Sequence, residues 1–504
     1  MPTAPESDNE HLDVLILGAG LSGIGAAYYV QQHLPGKTYA ILEARGALGG
    51  TWDLFRYPGI RSDSDLHTFG YEFKPWENEK SIAGASVILS YLQEAAAENG
   101  IDRHIRLNHK AIGAVWSSED ARWTVEFEHT DTGERSVITC SWLFACSGYY
   151  RYDEGFTPHF EGREEFGGTI VHPQHWPENL DYRGKRVVVI GSGATAVTIL
   201  PSMADDAAHV TMLQRSPSYI MPVPSADPIA NALRKVLGSK RAHGLNRRRY
   251  IAQQRFIYRF CQNHPRMARR VIRWLNAREL PKDYPLDTHF SPAYNPWDQR
   301  LCAVPDADLF KAIREGKASV VTDHIDTFTE RGIRLRSGAE LEADIIVTAT
   351  GLNMQTFGGI DLTVDGVAVD LVDRVAYKGV MLSDVPNFSF IVGYTNSSWT
   401  LKVGLVCEFT CRVIEDMERT GNAICYPHLL DPDMPTRPLF DFDAGYVRRA
   451  IDELPRQGVD APWITVQDYR TDVGLLRNGS VHEPELRFSA AGQAVIERAD
   501  AVLA

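Results

Sequence analysis

Leu12-Asp13-Val14-Leu15-Ile16-Leu17-Gly18-Ala19-Gly20-Leu21-Ser22-Gly23 decides the fold. The first six residues are an apolar run of strand length, and the glycines that follow open a helix-compatible stretch through Val30. A second apolar run, Tyr39-Ala40-Ile41-Leu42, ends on Glu43. Strand, glycine turn, helix, strand and acid in that order make a βαβ unit for a dinucleotide. A pyrophosphate carries two charges and needs backbone N–H groups at a helix N-terminus. Gly18 permits the tight turn, Gly20 the close approach, and Gly23 the packing of helix on strand, with Ser22 inside the same turn. Glu43 stands 20 residues after Gly23, where a carboxylate accepts from a ribose hydroxyl and repels a 2′-phosphate. This unit therefore takes FAD or NAD.

The pattern recurs downstream. Arg186-Val187-Val188-Val189-Ile190 leads into Gly191-Ser192-Gly193-Ala194-Thr195-Ala196, with Ala196 in the place of the third glycine. A helical stretch follows, then the strand His209–Leu213, which closes on Gln214-Arg215-Ser216. Arg215 stands where Glu43 stood, and a guanidinium there, helped by Ser216, suits the 2′-phosphate of NADP. Two units of opposite charge preference imply two cofactors, FAD on the first and NADPH on the second. Two more apolar runs, Ser141–Gly148 and Ala343–Gly351, close on small residues and glycine, as a chain returning to a bound cofactor does. Their places on either side of the second unit predict an α/β fold of two Rossmann-like domains, the NADP domain inserted into the FAD domain. The expected division is residues 1–150 for the first part of the FAD domain and 151–340 for the NADP domain with a helical excursion at 230–285. Residues 341–504 then complete the FAD domain and carry a C-terminal segment of short strands and loops without a motif of its own.

Bulk properties set limits. A chain of 504 residues forms two or three domains. Its net charge of -13 argues against a nucleic-acid partner. No apolar run approaches the roughly 20 residues of a membrane span, and Met1–Glu10 lacks the pattern of a signal peptide. Seven scattered cysteines without a Cys-x-x-Cys pair read as reduced thiols in the cytoplasm, with Cys407 and Cys411 as small buried apolar residues; no metal site is expected. Leu233–Leu280 is dense in Arg and Lys with interleaved aromatics at helical spacing. The favoured reading is a helical excursion with its charges in water and its aromatics packed; the other is a peripheral membrane-surface helix.

Between the two units lies Phe166-Gly167-Gly168-Thr169-Ile170-Val171-His172-Pro173-Gln174-His175-Trp176-Pro177. A disulfide reductase also has two dinucleotide units, but it needs a cysteine pair soon after the first, and here none follows until Cys140. The Phe-x-Gly-x-x-x-His-x-x-x-Trp-Pro pattern, carried by Phe166, Gly168, His172, Trp176 and Pro177, resembles the fingerprint of the type I Baeyer–Villiger monooxygenases, class B flavoprotein monooxygenases. Gly49–Trp52, Arg56–Asp63, Asn295–Arg300 and Gly393–Leu401 extend the resemblance over most of the chain, nearest to the ethionamide-activating branch. From the residues alone, His172 is a general base or a hinge; the resemblance favours the hinge. It also implies that Thr51, Trp52, Asp63 and Ala111 hold FAD. By the same resemblance Arg300 is the catalytic residue, its guanidinium set against negative charge on the peroxide formed at the flavin C4a, with Asp63 orienting it. Gln299 stands where many members have a lysine for the 2′-phosphate, which shifts that role to Arg215 and Ser216. The implied reaction is NADPH-dependent insertion of one oxygen from O2 into a ketone or a sulfide. The alternatives are an N- or S-oxidising flavin monooxygenase, an NADPH oxidase, and a redox-sensing binding protein without turnover.

Overall fold

The computed structural model describes residues 10–299, 301–440 and 444–495. Two sheets organise it. The first is mixed and nine-stranded, and its centre is the strand His11–Leu17 between Arg135–Ala145 and Tyr39–Leu42, all parallel. Ile16 lies opposite Ile41 on one side and Phe144 on the other, and every apolar side chain of the quoted run is buried. Burial on both faces explains why this strand reads as continuous Val, Leu and Ile rather than as an alternation. The helix Leu21–His33 packs on one face. A Cβ on Gly23 would stand 1.8 Å from the carbonyl oxygen of Gly18, so only glycine lets this helix meet the strand.

The second sheet is fully parallel, in the order Ala318–Thr322, His209–Gln214, Arg186–Ile190, Ile345–Thr348, Thr169–Val171. Its glycine turn leads into the helix Ala194–Met203. At Gly191 φ is +134°, and a Cβ there would lie 2.3 Å from the carbonyl oxygen of Ala349. Ala196 is fully buried, so the methyl that replaces the third glycine has room in this unit. The run that ends at Gly351 thus belongs to the second sheet, which extends to Thr348, beyond the expected boundary at 340. The chain enters and leaves this domain through two segments that pair antiparallel, Tyr150–Gly155 and Leu352–Met354.

Three helices, Pro228–Leu237, Ser239–Asn263 and Pro265–Glu279, form the excursion. Asp227 caps the first by accepting from the N–H groups of Ile229 and Ala230 at 2.9 and 3.0 Å. The second packs on the first domain, where Arg247 donates to the carbonyls of Thr68 and Gly70 at 3.2 and 2.9 Å. The aromatics are not all packed, as the favoured reading expected: Phe256 and Trp274 are exposed. The C-terminal region departs from expectation more clearly. It holds a helix of 22 residues, Trp399–Thr420, laid across Leu21–His33. Gly25 faces Val403 and Gly404 faces Tyr29 at the crossing, at distances a Cβ on either glycine would close to 2.8 and 2.7 Å. All seven cysteines are buried and none is in a disulfide. Among the described residues no helix is long and apolar enough to cross a membrane, and no cluster of His, Cys, Asp and Glu is arranged to hold a metal.

Candidate active site

A cavity of about 560 Å³ runs from the first glycine turn to the second domain. Gly18, Gly20 and Ser22 line it from the turn, Glu43 from the next strand end, and Thr51, Trp52, Asp63 and Ala111 from the segments that follow. Glu43 is only 5% exposed. One carboxylate oxygen accepts from the Ala19 N–H at 2.7 Å and the other from the Arg45 N–H at 3.0 Å. Burial nevertheless pushes its carboxyl above the usual range, against the pull of those donors. The acid thus braces the glycine turn from below and keeps lone pairs for a sugar hydroxyl. Ser22 has a partner the sequence did not indicate: its Oγ accepts from the Trp399 indole N–H at 2.8 Å. The C-terminal helix is thereby fixed to the start of the first helix.

Opposite the turn, Asp53 accepts from Arg45 and from Arg56, each at 2.6 Å. Thr51 and Tyr152 hydroxyls are 3.2 Å apart. Arg61 pairs with Asp308 of the second domain. Tyr57 reaches Thr195, and burial pushes its hydroxyl up to about 12. Thr195 lines the same cavity as Gly18, so the two units share one cleft. Tyr394 and Trp399 close its far wall. The Tyr394 hydroxyl donates to Asp472 at 2.6 Å, and Asp472 is ion-paired to Lys402 at 2.6 Å with both side chains 1% exposed. Arg45, Tyr57, Tyr152 and Tyr394 line the cavity but were not among the site residues expected from the sequence.

Ala194 and Thr198 line the cavity too, whereas Gly191, Ser192, Gly193 and Ala196 lie beside it rather than on it. Ser192 Oγ donates to the Ser216 carbonyl at 3.2 Å and lies 2.8 Å from Ser218 Oγ, which ties the turn Gly191–Gly193 to the following strand end. Arg215 and Ser216 are exposed there, and the Arg215 guanidinium has no ion pair among the described residues. Gln299 is half-buried and off the cavity wall. Arg300 lies outside the described residues; the strand after it, Cys302–Pro305, lines the cavity at Ala303.

The fingerprint segment lies at the seam. Phe166 is buried against Phe328, and a Cβ on Gly168 would strike both the Phe166 ring and the Asp344 carbonyl. His172 Nε2 lies 3.1 Å from the Gly351 carbonyl, and its Nδ1 accepts from the Gln174 N–H at 3.2 Å. One ring nitrogen donates and the other accepts, which is a neutral imidazole, and burial lowers its pKa. Gly351 also accepts from Phe156 N–H at 3.1 Å. Gly155 lies so close that a Cβ there would enter the imidazole ring. His172 therefore holds together the two strands through which the chain enters and leaves the second domain. Trp176 packs on the core of that domain, and Pro177 accepts from the Leu180 N–H at 3.3 Å.

Residues 77–381 match the family profile described as flavin-binding monooxygenase-like, and residues 16–77 match an NAD(P)-binding Rossmann-like domain. The chain belongs to the flavin-binding monooxygenase-like family. Within it, the FAD-containing monooxygenase EthA of Mycobacterium tuberculosis is 53% identical over 481 residues, 95% of this chain and 98% of that one. Solved structures share the whole fold: cyclohexanone-bound cyclohexanone monooxygenase at a TM-score of 0.74 and 21% identity, and steroid monooxygenase bound to NADP at 0.73 and 22%. Each comparison covers 95% of this chain and 100% of the other. This flavin-binding monooxygenase is thus an α/β protein with two dinucleotide-binding domains, in the fold it shares with cyclohexanone and steroid monooxygenases.

Proposed function

We propose that the chain holds FAD on the first glycine unit and NADPH on the second, and uses them to insert one oxygen atom of O2 into ketones and to oxidise sulfides. The observation that carries the reading is the shared cleft: Gly18, Glu43 and Ala111 on one wall and Thr195 on the other line one continuous cavity. A nicotinamide seated from the second unit would there reach a flavin seated from the first. The residues fit the group. Gly18 and Gly20 form a cradle a side chain would fill, at the N-terminus of a 13-residue helix, with the Glu43 carboxylate beneath. Support also comes from the FAD named in EthA, the NADP named in steroid monooxygenase and the ketone bound by cyclohexanone monooxygenase.

Bound FAD supplies hydride acceptance and activation of O2. The chain supplies the rest. Gly18, Gly20, Ser22, Gly23 and Glu43 seat the adenosine half, and Thr51, Trp52, Asp63 and Ala111 border the space for the flavin. Gly191, Ser192, Gly193, Thr195 and Ala196 seat the second dinucleotide, with Arg215 and Ser216 on its 2′-phosphate and Gln299 as a neutral neighbour. Phe166, Gly168, His172, Trp176 and Pro177 set the angle between the domains. By resemblance, Arg300 faces the negative charge that grows on oxygen as it transfers to the carbonyl, and Asp63 orients it; a guanidinium suits this because it cannot lose its proton.

FAD-loaded protein, NADPH and isotopically heavy O2 test the proposal with one cyclic ketone and one aryl methyl sulfide. A lactone and a sulfoxide, each carrying one heavy oxygen, are expected. Sulfoxide without lactone would remove the ketone reading. Hydrogen peroxide formed one-for-one with NADPH, and no labelled product, would overturn the whole proposal and leave an oxidase.

A further inference from the structure

The three-helix excursion carries a surface that the oxygen chemistry does not explain. Between Pro228 and Glu279 the sequence has 14 Lys and Arg against one acid, Glu279, in a chain of 52 basic and 65 acidic residues. Some of these cations are engaged: Arg247 on carbonyls, Arg249 with Asp227, Arg255 with Asp468, Arg273 with Asp287. The side chains of Lys240, Arg241, Arg248, Arg259, Arg266 and Arg270 have neither ion pair nor hydrogen bond among the described residues. Like charges collected on one excursion of an acidic protein cost stability unless something of opposite sign meets them.

Apolar side chains stand exposed among them. On the helix Pro265–Glu279, Met267, Val271 and Trp274 recur at helical spacing and face solvent, Trp274 at 56% exposure, while Ala268, Ile272 and Asn276 make the buried face. Arg266 and Arg270 flank this stripe, and the Arg278 guanidinium lies over the Trp274 ring at 4.9 Å. On Pro228–Leu237, Ile229, Val236 and Leu237 are exposed, Val236 at 80%. On Ser239–Asn263, Phe256 is 70% exposed and borders a second cleft, of about 380 Å³, with Arg255, Arg259, His264 and Arg470. The Arg470 side chain also has no ion pair or hydrogen bond among the described residues. An aromatic at the lip of a cleft where two guanidinium groups, those of Arg259 and Arg470, stand unpaired beside the paired Arg255 matches a phosphate whose other end is hydrocarbon.

We infer that this three-helix face docks on an anionic phospholipid bilayer, with Met267, Val271, Trp274 and Phe256 entering the acyl boundary and the Arg259–Arg470 cleft taking a headgroup phosphate. The charge balance selects this occupant. A second copy would set the same cations against each other, whereas a bilayer of anionic lipids offers both the opposing charge and the apolar layer. The docked helix is also tied to the active-site cavity. Gln254, two residues before Phe256, donates to Asp65 at 2.6 Å and accepts from Ser397 Oγ at 2.6 Å, and Ser397 lines the cavity. Docking of this face does not depend on the oxygen chemistry proposed above.

The test is sedimentation of FAD-loaded full-length protein with sucrose-filled vesicles, either phosphatidylcholine alone or phosphatidylcholine mixed with phosphatidylglycerol. Binding is expected to the mixed vesicles only and to weaken with added chloride. Arg259→Gln with Arg470→Gln should weaken it about 25-fold, taking about fivefold per cation. Met267→Ser, Val271→Ser and Trp274→Ser together should abolish it, with flavin absorbance retained as the check on folding. Lipids brominated in the acyl chain should quench tryptophan emission in the wild type, and the quenching should fall in Trp274→Phe. The inference is overturned if neither vesicle sediments the protein, if phosphatidylcholine alone does so equally, or if Trp274 becomes protected by self-association without lipid. Displacement by inorganic phosphate at the ionic strength where chloride has no effect would make the cleft a site for a free anion instead.

Discussion

The two glycine units share a turn and differ in what surrounds it. In the first, Gly23 touches the strand backbone, Glu43 is buried, and both its oxygens accept from N–H groups of the chain. In the second, Ala196 fits where the third glycine would be, and the corresponding charge, Arg215, stands in solvent without an ion pair among the described residues. The first charge is part of the fold, whereas the second stands free of it, where the proposed function sets it on a ligand. That contrast suits a cofactor that stays bound and a co-substrate that must leave after each turnover. Under the proposed assignment, the same local motif would serve two lifetimes of binding, set by burial rather than by the glycines.

The largest effect should come from adding one methyl group to the first turn, set against removing one from the second. Gly23→Ala places a carbon against a backbone oxygen and should cost about 4 kcal/mol or more, seen as a lowered midpoint of thermal unfolding and loss of flavin. Ala196→Gly should cost about 1 kcal/mol. Similar losses would erase the contrast. Next, Glu43→Ala leaves the Ala19 and Arg45 N–H groups without their acceptor and should cost about 2 kcal/mol with flavin lost.

Acid should act on the first domain's interface with the excursion. His67 and His243, buried there, have their pKa values lowered to about 4 from 6.5 by burial. In the unfolded chain they bind protons near 6.5, so their contribution is complete above that pH and is lost as pH falls toward about 4. Asp65, raised to about 6 by burial, acts in the opposite sense, since its contribution is lost as pH rises through that value. The unfolding midpoint measured across that range should fall with pH, and the slope should be shallower in His243→Gln. An unchanged slope would remove His243 from this account.

Much of the architecture was legible because its signals are local. Each strand–turn–helix–strand order occupies a few dozen adjacent residues, and burial on both strand faces produces the apolar runs that reveal it. The fingerprint was visible as a motif, and its His172 lies on Gly351 beside the paired segments. The C-terminal helix was missed although Leu401, Leu405, Phe409, Val413 and Met417 repeat every four residues and are buried. The proline-rich stretch after it obscured that rhythm. Tyr394 fell inside the Gly393–Leu401 resemblance but was not picked out as a site residue, because its hydroxyl is held by the Lys402–Asp472 pair, formed across 70 residues, which no neighbouring sequence reports. The strand Ile345–Thr348 was read correctly as a strand but assigned to the wrong side of the boundary, because an apolar run does not name the sheet it joins.

The most direct test uses Arg215→Ala, the substitution expected to disturb the fold least, by less than about 0.5 kcal/mol. Steady-state kcat/KM would be measured with NADPH and with NADH, alongside flavin content. The account predicts that kcat/KM for NADPH falls by about tenfold or more, through KM, that NADH is unaffected, and that flavin content stays at the wild-type level. An unchanged preference for NADPH, or loss of flavin instead, would contradict the assignment of the two units to two dinucleotides.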